Sequence, residues 1–159
     1  MKKEKNTISI LVNNRPDVLA RIAGTFSGRG FNIESISANV TMDPEITKII
    51  ITTISDKETV IKLEKQLNKI VDVLDVIDLT CERSVQREMV LIRIKMTDVH
   101  RDSIMRTIDT NKWKVVSTTT EFCVVEVTGS KKEVENALVL LEPLGMDDFT
   151  RTGAVAVEI

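Results

Sequence analysis

Residues 13–36 read NNRPDVLARIAGTFSGRGFNIESI and predict one helix between two polar segments. Pro16 suits the first helical position, where a missing N–H loses no hydrogen bond, and Asp17 places a negative charge near the positive end of the helix dipole. Gly28 and Gly30 are expected to end the helix with positive φ angles, after which the chain becomes extended. Both ends of this helix are therefore specified by the sequence.

One side of this helix carries an apolar stripe. Its residues follow the spacing i, i+3, i+4, i+7 and are expected to face a core: Leu19, Ile22, Ala23 and Phe26. Alternating or β-branched segments predict strands at 7–12, 32–41, 47–54 and 70–79, with an irregularity near Leu74. Asp56 is a plausible N-cap for a second helix, with Thr59 at its N3 position. The first half of the chain thus predicts the order βαββαβ.

The second half repeats this order of elements without repeating the residues. A strand at 90–96 precedes a helix that Thr97 or Asp98 would cap, and extended segments follow at 115–120 and 121–128. Gly129 and Ser130 open a further helix, and the tail from about residue 147 to 159 carries Val155 and Val157 on a final strand. We therefore expect an α+β chain of two ferredoxin-like βαββαβ domains, residues 1–80 and 81–159, each an antiparallel sheet with helices on one face.

The third strand predicts a partner for the second face of the N-terminal sheet. Its isoleucines point to both faces: Ile49, Ile50, Ile51 and Ile54. Because helices cover only one face, burial of the other requires a further domain or chain, and a strand at the edge of the sheet is open to pairing. A homodimer is expected.

Composition excludes several classes of function. The net charge of −2 offers no sustained attraction for nucleic acid, and an aromatic content of 3% provides no platform for stacking bases. No apolar run approaches the roughly 18 to 20 residues of a membrane helix. The first residues, MKKEK, precede no apolar region and are interpreted as a solvated tail, so a cytoplasmic location is expected.

The sequence contains no convincing catalytic or metal-binding cluster. His100 has no second histidine or cysteine nearby in the sequence and is assigned a surface role. Three carboxylates at a spacing of three residues fit neither a strand face nor a calcium loop and are interpreted as a solvated edge: Asp72, Asp75 and Asp78. Cys81 and Cys123 match no metal or redox spacing and are expected to be unpaired thiols.

The start of the first helix and the following strand offer a candidate binding site for an amino acid. Free backbone N–H groups between Arg15 and Leu19 suit a carboxylate, since the helix dipole is positive there. The amides of Asn14 and Asn32 can accept from an ammonium group or donate to a carboxylate. A purely structural interpretation stays open, with Asn14 as a helix cap and Asn32 as a turn residue.

The segments NNRPDVLAR and RGFNIES resemble the pattern N-x-P-G-V-L-A-R … R-G-F-N-I-E-S of ACT domains in the small subunits of acetolactate synthase, also called acetohydroxyacid synthase. Residues 64–73 resemble the second helix and fourth strand of that family. Residues 85–89 resemble its V-E-R-E segment, and residues 151–153 its closing R-S/T-G segment. The similarity covers nearly the whole chain and is weakest between Thr97 and Met146.

The resemblance implies a regulatory subunit without catalytic activity. In that family the large subunit carries thiamine diphosphate, Mg²⁺ and FAD, so no cofactor or metal is expected on this chain. The small subunit activates it, and valine or a related branched-chain amino acid acts at the interface of paired ACT domains. By resemblance, the effector contacts two protomers: Asn14 and the backbone of Asp17, Val18 and Leu19 on one, Asn32 and Ile33 on the other.

Asp17 departs from the family pattern, which has glycine at this position. Two negative charges about 4 Å apart repel by roughly 4 kcal/mol at an effective dielectric near 20, more than the typical allosteric coupling of about 1–3 kcal/mol. Either Asp17 points to solvent and feedback survives, or the subunit activates its partner and responds poorly to valine.

Two functions of another class stay open beside the regulatory subunit. One is a free-standing amino-acid-sensing ACT protein with a different partner. The other, more distant, is a hydrolase on the same scaffold.

Overall fold

The computed structural model describes residues 3–80 and 84–159. The chain forms two compact units, one comprising residues 1–86 and 153–159 and the other residues 87–152. The structure thus groups the last seven residues with the N-terminal unit, whereas the sequence-based division at residue 80 grouped them with the C-terminal domain. The predictions for Cys81, and for Met1 and Lys2 of the tail, lie outside the described residues.

The N-terminal unit has the predicted βαββαβ order. Its elements are β1 (Glu4–Asn13), α1 (Val18–Ser27), β2 (Ile33–Val40), β3 (Ile46–Ser55), α2 (Lys57–Leu67) and β4 (Val73–Asp78). The four strands pair antiparallel in the order β2-β3-β1-β4, which confirms the ferredoxin-like arrangement. Because β2 ends the order, it forms an edge of this sheet.

The two helices of this unit bury one face of the sheet. Ile8 and Ile10 of β1 are fully buried and belong to one apolar cluster with residues of α1 and α2. On α1 the buried residues are Val18, Ile22 and Phe26. The predicted stripe was therefore partly wrong, because Leu19 is 43% exposed and the core-facing line runs at i, i+4, i+8 from Val18.

Helix α1 also begins and ends differently from the sequence prediction. It begins at Val18, two residues after Pro16, because the Val18 N–H turns back to the Arg15 carbonyl and the Asp17 carbonyl accepts from Arg21. Gly28 has φ −63° and only Gly30, with φ 73°, uses the left-handed region. The prediction that Pro16 starts the helix and that both glycines need positive φ was wrong.

Two local predictions for the rest of this unit are confirmed. The Asp56 carboxylate accepts a hydrogen bond from the Thr59 N–H at 3.0 Å and caps α2, which lowers the pKa of Asp56. In the pairing of β1 with β4, Leu11 lies opposite Asp75 and Val12 opposite Val73, so Leu74 is the extra residue of a bulge.

The C-terminal unit repeats the same order around its own core. Its elements are β5 (Ser84–Lys95, which begins in the N-terminal unit), α3 (Arg101–Asn111), β6 (Lys114–Thr118), β7 (Phe122–Gly129), α4 (Lys131–Leu141), a 3₁₀ turn (Glu142–Leu144) and β8 (Met146–Arg151). The strand order β6-β7-β5-β8 matches that of the first sheet.

Helix α4 begins after Ser130, where the sequence predicted its start, and Ser130 and Glu133 form a capping box there. The predicted caps of α3 were wrong, since His100 is its N-cap and no side chain bonds there.

A further strand, β9 (Val155–Glu158), follows β8 after a break. It contains Val155 and Val157, which the sequence placed on a final strand, whereas β8 was not predicted as a separate strand. Ala156 of β9 is 7% exposed and packs with Ile50, Leu79 and Ile77 of the N-terminal unit. Ile50 points away from the helices, so this chain itself covers part of the face for which a partner was expected. Ile54 on the same strand stays 48% exposed.

None of the helices within residues 3–80 and 84–159 is long and apolar enough to cross a bilayer.

The burial of β9 yields a stability prediction. Ala156→Asp would place an unpaired carboxylate against Ile50 and Leu79, and we expect it to lower the free energy of unfolding by at least about 2 kcal/mol. The matched control is Val157→Asp, because Val157 is 56% exposed on the opposite side of the same strand. There the loss should stay within about 1 kcal/mol. Urea denaturation of the full chain measures both, and equal losses would mean that β9 is not seated on the sheet.

Candidate functional site

A cavity of about 240 Å³ lies at the start of α1, bounded by β1, β2 and β3. Most of its wall is aliphatic: Val12, Val18, Leu19, Ala38, Val40 and Ile49. Polar groups come from Asn13, Asn14, Asn39 and Thr47. Among the described residues that line it, Arg15 alone carries a charge. An apolar wall with a few polar groups at one end suits a small amphipathic ligand such as an aliphatic amino acid.

Three of the six predicted site residues line this cavity: Asn14, Val18 and Leu19. The backbone donors are fewer than predicted, because the Arg15 N–H donates to the Asn13 carbonyl and the Val18 N–H to the Arg15 carbonyl. The first helical hydrogen bond of α1 runs from the Arg21 N–H to the Asp17 carbonyl. The N–H groups of Leu19 and Ala20 come before it in the first turn and therefore have no acceptor within the helix. These two groups are the donors that α1 can offer to a carboxylate.

Asn14 does not cap α1. Its backbone N–H donates to the Glu45 carbonyl at 2.7 Å, and its side-chain amide donates to the Pro44 carbonyl at 2.9 Å. Asn14 thus ties the end of β1 to the turn between β2 and β3. Within the described residues its Oδ1 accepts no hydrogen bond, which leaves an acceptor for a ligand ammonium group.

Asp17 lies outside the cavity wall and its carboxylate turns along the helix. Oδ2 of Asp17 lies 2.9 Å from Nε of Arg21, one turn away, and the Asp17 side chain is 68% exposed. A partner of opposite charge and high exposure both reduce the field that Asp17 projects towards the cavity. The geometry therefore matches the first of the two hypotheses for Asp17, in which it does not face the ligand.

Asp72 is the centre of a charge cluster beside the cavity. Its side chain is 6% exposed, accepts hydrogen bonds from Arg21 and from Asn13 at 3.2 Å, and forms an ion pair with Arg15 at 3.3 Å. The hydrogen bond from Arg21, followed by that from Asn13, lowers the pKa of Asp72, while Asp72 raises the pKa of Arg21. The prediction that Asp72 belongs to a solvated edge was therefore wrong. Its burial between two arginines was invisible in the spacing of the carboxylates.

Asn32 and Ile33 line a second depression of about 410 Å³ at the other end of α1. Ala23, Phe26 and Gly30 share it. The Asn32 carbonyl accepts from the Thr53 hydroxyl at 2.7 Å, and its side chain is exposed. Within one chain the predicted residues thus line two separate depressions, one at each end of β2 and α1, which are called the two half-sites of the predicted site below.

The C-terminal unit has a polar depression of about 400 Å³ that sequence reasoning missed. Trp113, Lys112, Lys114 and Glu126 line it at the ends of α3 and β7. In the part of the chain that the structure describes, no three His, Cys, Asp or Glu residues are placed to hold a metal ion. Cys123 is a buried free thiol, and burial raises its pKa.

Comparisons with known proteins match both units. Residues 8–75 match a family model described as an AHAS small subunit-like ACT domain, and residues 87–159 match one described as the small subunit of acetolactate synthase. A probable acetolactate synthase small subunit of Archaeoglobus fulgidus is 36% identical over 153 residues, covering 96% of each chain. The acetolactate synthase small subunit of Mycolicibacterium smegmatis is 33% identical over 152 residues, which span 96% of this chain and 89% of the relative. The crystal structure of the acetolactate synthase small subunit of Thermotoga maritima superposes with a TM-score of 0.89 at 31% identity, over 98% of both chains.

The Asp72 cluster predicts a dependence of stability on pH. The folded pKa of Asp72 lies below its unfolded value of about 3.9, so the ionised carboxylate stabilises the fold above pH 4 and that stabilisation is lost as the pH falls through the folded pKa. Asp72→Asn should lower the urea midpoint at pH 7, and the difference from wild type should shrink below pH 4. Asp75→Asn, at an exposed position, is the control. A difference for Asp72→Asn that persists unchanged at pH 2.5 would contradict this role.

Proposed function

This chain belongs to the family of acetolactate synthase small subunits, and from that membership we propose that it activates the large, catalytic subunit and makes it sensitive to valine or another branched-chain amino acid. The observation that carries the proposal is the match of both units to this family in one chain, together with an aliphatic cavity at the start of α1. A free-standing ACT sensor would not require the second family match.

Catalysis is assigned to the large subunit, in the cytoplasm, where thiamine diphosphate, Mg²⁺ and FAD would be bound. No step of the reaction is assigned to residues of this chain. We propose that this chain contributes by binding alone. It would bind the large subunit on one surface and the effector at a separate site. Any change in turnover would then arise from a differential affinity of the effector for two states of the complex.

A homodimer would unite the two half-sites. β2 is an edge strand, and Ile36 and Val40 on it are 40% and 53% exposed. If two copies pair their β2 strands antiparallel about a two-fold axis, the end of one strand faces the start of the other. Val40 beside the cavity of one protomer would then approach Asn32 and Ile33 of the second. We propose this seam as the effector site, with Asn14, Val18 and Leu19 from the first protomer.

The effector's groups have complementary partners at this seam. Its carboxylate would bind the first-turn N–H groups of Leu19 and Ala20, and its ammonium group would bind Oδ1 of Asn14. The aliphatic side chain would contact Val12, Val18 and Val40. Asp17 contributes backbone only, because its carboxylate is paired with Arg21.

A mixed-subunit assay tests the function. The large subunit is measured alone and with increasing amounts of this chain, each with and without valine, leucine or isoleucine. We expect turnover to rise until the chain is stoichiometric, and at least one of the three amino acids to lower the stimulated rate. Unchanged turnover at saturating chain would reject activation. Stimulation that none of the three lowers would retain activation and reject feedback.

Calorimetry with valine tests the placement of Asp17. Because the Asp17 carboxylate is paired with Arg21 and points away from the cavity, Asp17→Gly should bind valine within about twofold of wild type. Leu19→Asp is the positive control, since it introduces a charge into the cavity wall and should weaken binding at least tenfold. Binding by Asp17→Gly that is ten or more times tighter than wild type would instead show that Asp17 repels the effector.

A further inference from the structure

Gly153 lies against the main chain of β2. A Cβ atom at this position would be 2.9 Å from the carbonyl oxygen of Ile36, 3.1 Å from its carbonyl carbon and 3.3 Å from its nitrogen. These atoms are backbone and cannot rotate away as a side chain would. The φ of Gly153 is not in the left-handed region that favours glycine. Close approach to β2, rather than backbone conformation, is therefore what requires glycine here.

The rest of the C-terminal segment, residues 153–159, is anchored on the same unit. Ala154 and Ala156 are 2% and 7% exposed, and Ala156 packs with Ile50 of β3 and Leu79. Val155 and Val157 on the other side of the strand are half-exposed. Small residues thus face the sheet and let the segment lie close to it. Gly153 marks the point where the segment reaches the edge strand.

β2 is the strand on which both half-sites depend. Asn32 and Ile33 stand at its start, Ala38 and Val40 at its end line the cavity beside α1, and Ile36 lies between them. At the edge of the sheet β2 is held by its ladder to β3. The segment 153–159 packs on the face opposite the helices at Ile50 and closely approaches the main chain of β2 at Ile36, yet it lines neither depression.

We infer that residues 153–159 are a positioning element for the effector site: their seat on Ile36 fixes β2, so effector affinity depends on a segment that does not contact the effector. The inference rests on the proposed function. It also gives the segment a role in the N-terminal unit, although the matching family model includes it with the C-terminal part, residues 87–159. The route from segment to site is a direct packing contact, which does not require unfolding of the unit.

The test compares Gly153→Ala with Val157→Ala in the full chain. Gly153→Ala should weaken valine binding at least fivefold in calorimetry and accelerate hydrogen exchange in residues 33–40, while exchange in α2 and β4 stays at the wild-type rate. Val157→Ala, on the exposed side of the same strand, should leave both measurements unchanged. A purely structural role would instead raise exchange throughout the unit. In the mixed-subunit assay, Gly153→Ala should shift the valine concentration for half-inhibition and keep the stimulation itself.

Wild-type valine affinity and wild-type exchange of residues 33–40 in Gly153→Ala would overturn the inference. If Gly153→Ala does not fold, Ala156→Val replaces it, because extra volume against Ile50 and Leu79 should also displace the segment. Absence of valine binding by the wild-type chain would reject the proposed effector, while hydrogen exchange still reports whether the segment holds β2. The failure of the inference and the failure of the proposed function are thus distinguishable.

Discussion

A four-stranded sheet with helices on one side has a second face, which must be covered or be polar. The structure of the N-terminal unit depends on how this second face is covered. Ile8, Ile10, Ile49 and Ile51 are buried under α1 and α2. The opposite face carries hydroxyl side chains such as Ser35 and Thr52, whose oxygens lie 2.6 Å apart, beside apolar residues that include Ile50, Ile54 and Ile77. Ala156 covers Ile50. Residues from the chain's own C-terminal end therefore cover part of this face, while Ile54 stays exposed.

The edge strand β2 connects this constraint to the proposed function. One of its faces lies against the C-terminal segment at Gly153, while Ile36 and Val40 on its other face are partly exposed beside α1. Because the core-facing line of α1 runs through Val18 and Ile22, Leu19 and Ala23 are displaced towards the two depressions. An apolar residue excluded from the core is then available to a ligand or a second copy.

Local chemistry made most of the fold predictable from sequence. The strand periods, the Asp56 cap and the extra residue at Leu74 each act within a few residues, so their pattern is visible without tertiary structure. Asp72 was misassigned because its partners, Arg15 and Arg21, lie more than 50 residues away in sequence. β8 was missed because its pairing with β5 joins segments more than 50 residues apart in sequence, whereas the strand at Val155 and Val157 was predicted and its packing on Ile50 was not. Asn14, Val18 and Leu19 were predicted from their position at a helix start and from the family resemblance, whereas the cavity that they line with β2 and β3 depends on tertiary structure and was not predicted.

The charge cluster at the start of α1 shows how an acidic residue is accommodated beside the proposed site for the effector's carboxylate. Asp17 and Asp72 carry two negative charges, Arg15 and Arg21 two positive ones, and ion pairs connect all four. The cluster is therefore neutral as a whole, and Arg15 is its member at the cavity wall. Removal of the Asp17 carboxylate alone would leave the cluster with a net positive charge. Removal of the Arg21 side chain would leave Asp17 without its partner, and Asp72 would keep only Arg15 and Asn13. Because the cost of an unpaired buried carboxylate exceeds that of an exposed one, Arg21 matters more through Asp72 than through Asp17. An aspartate at position 17 is thus compatible with the proposed effector site, because Arg21 pairs with both carboxylates and Asp17 does not line the cavity.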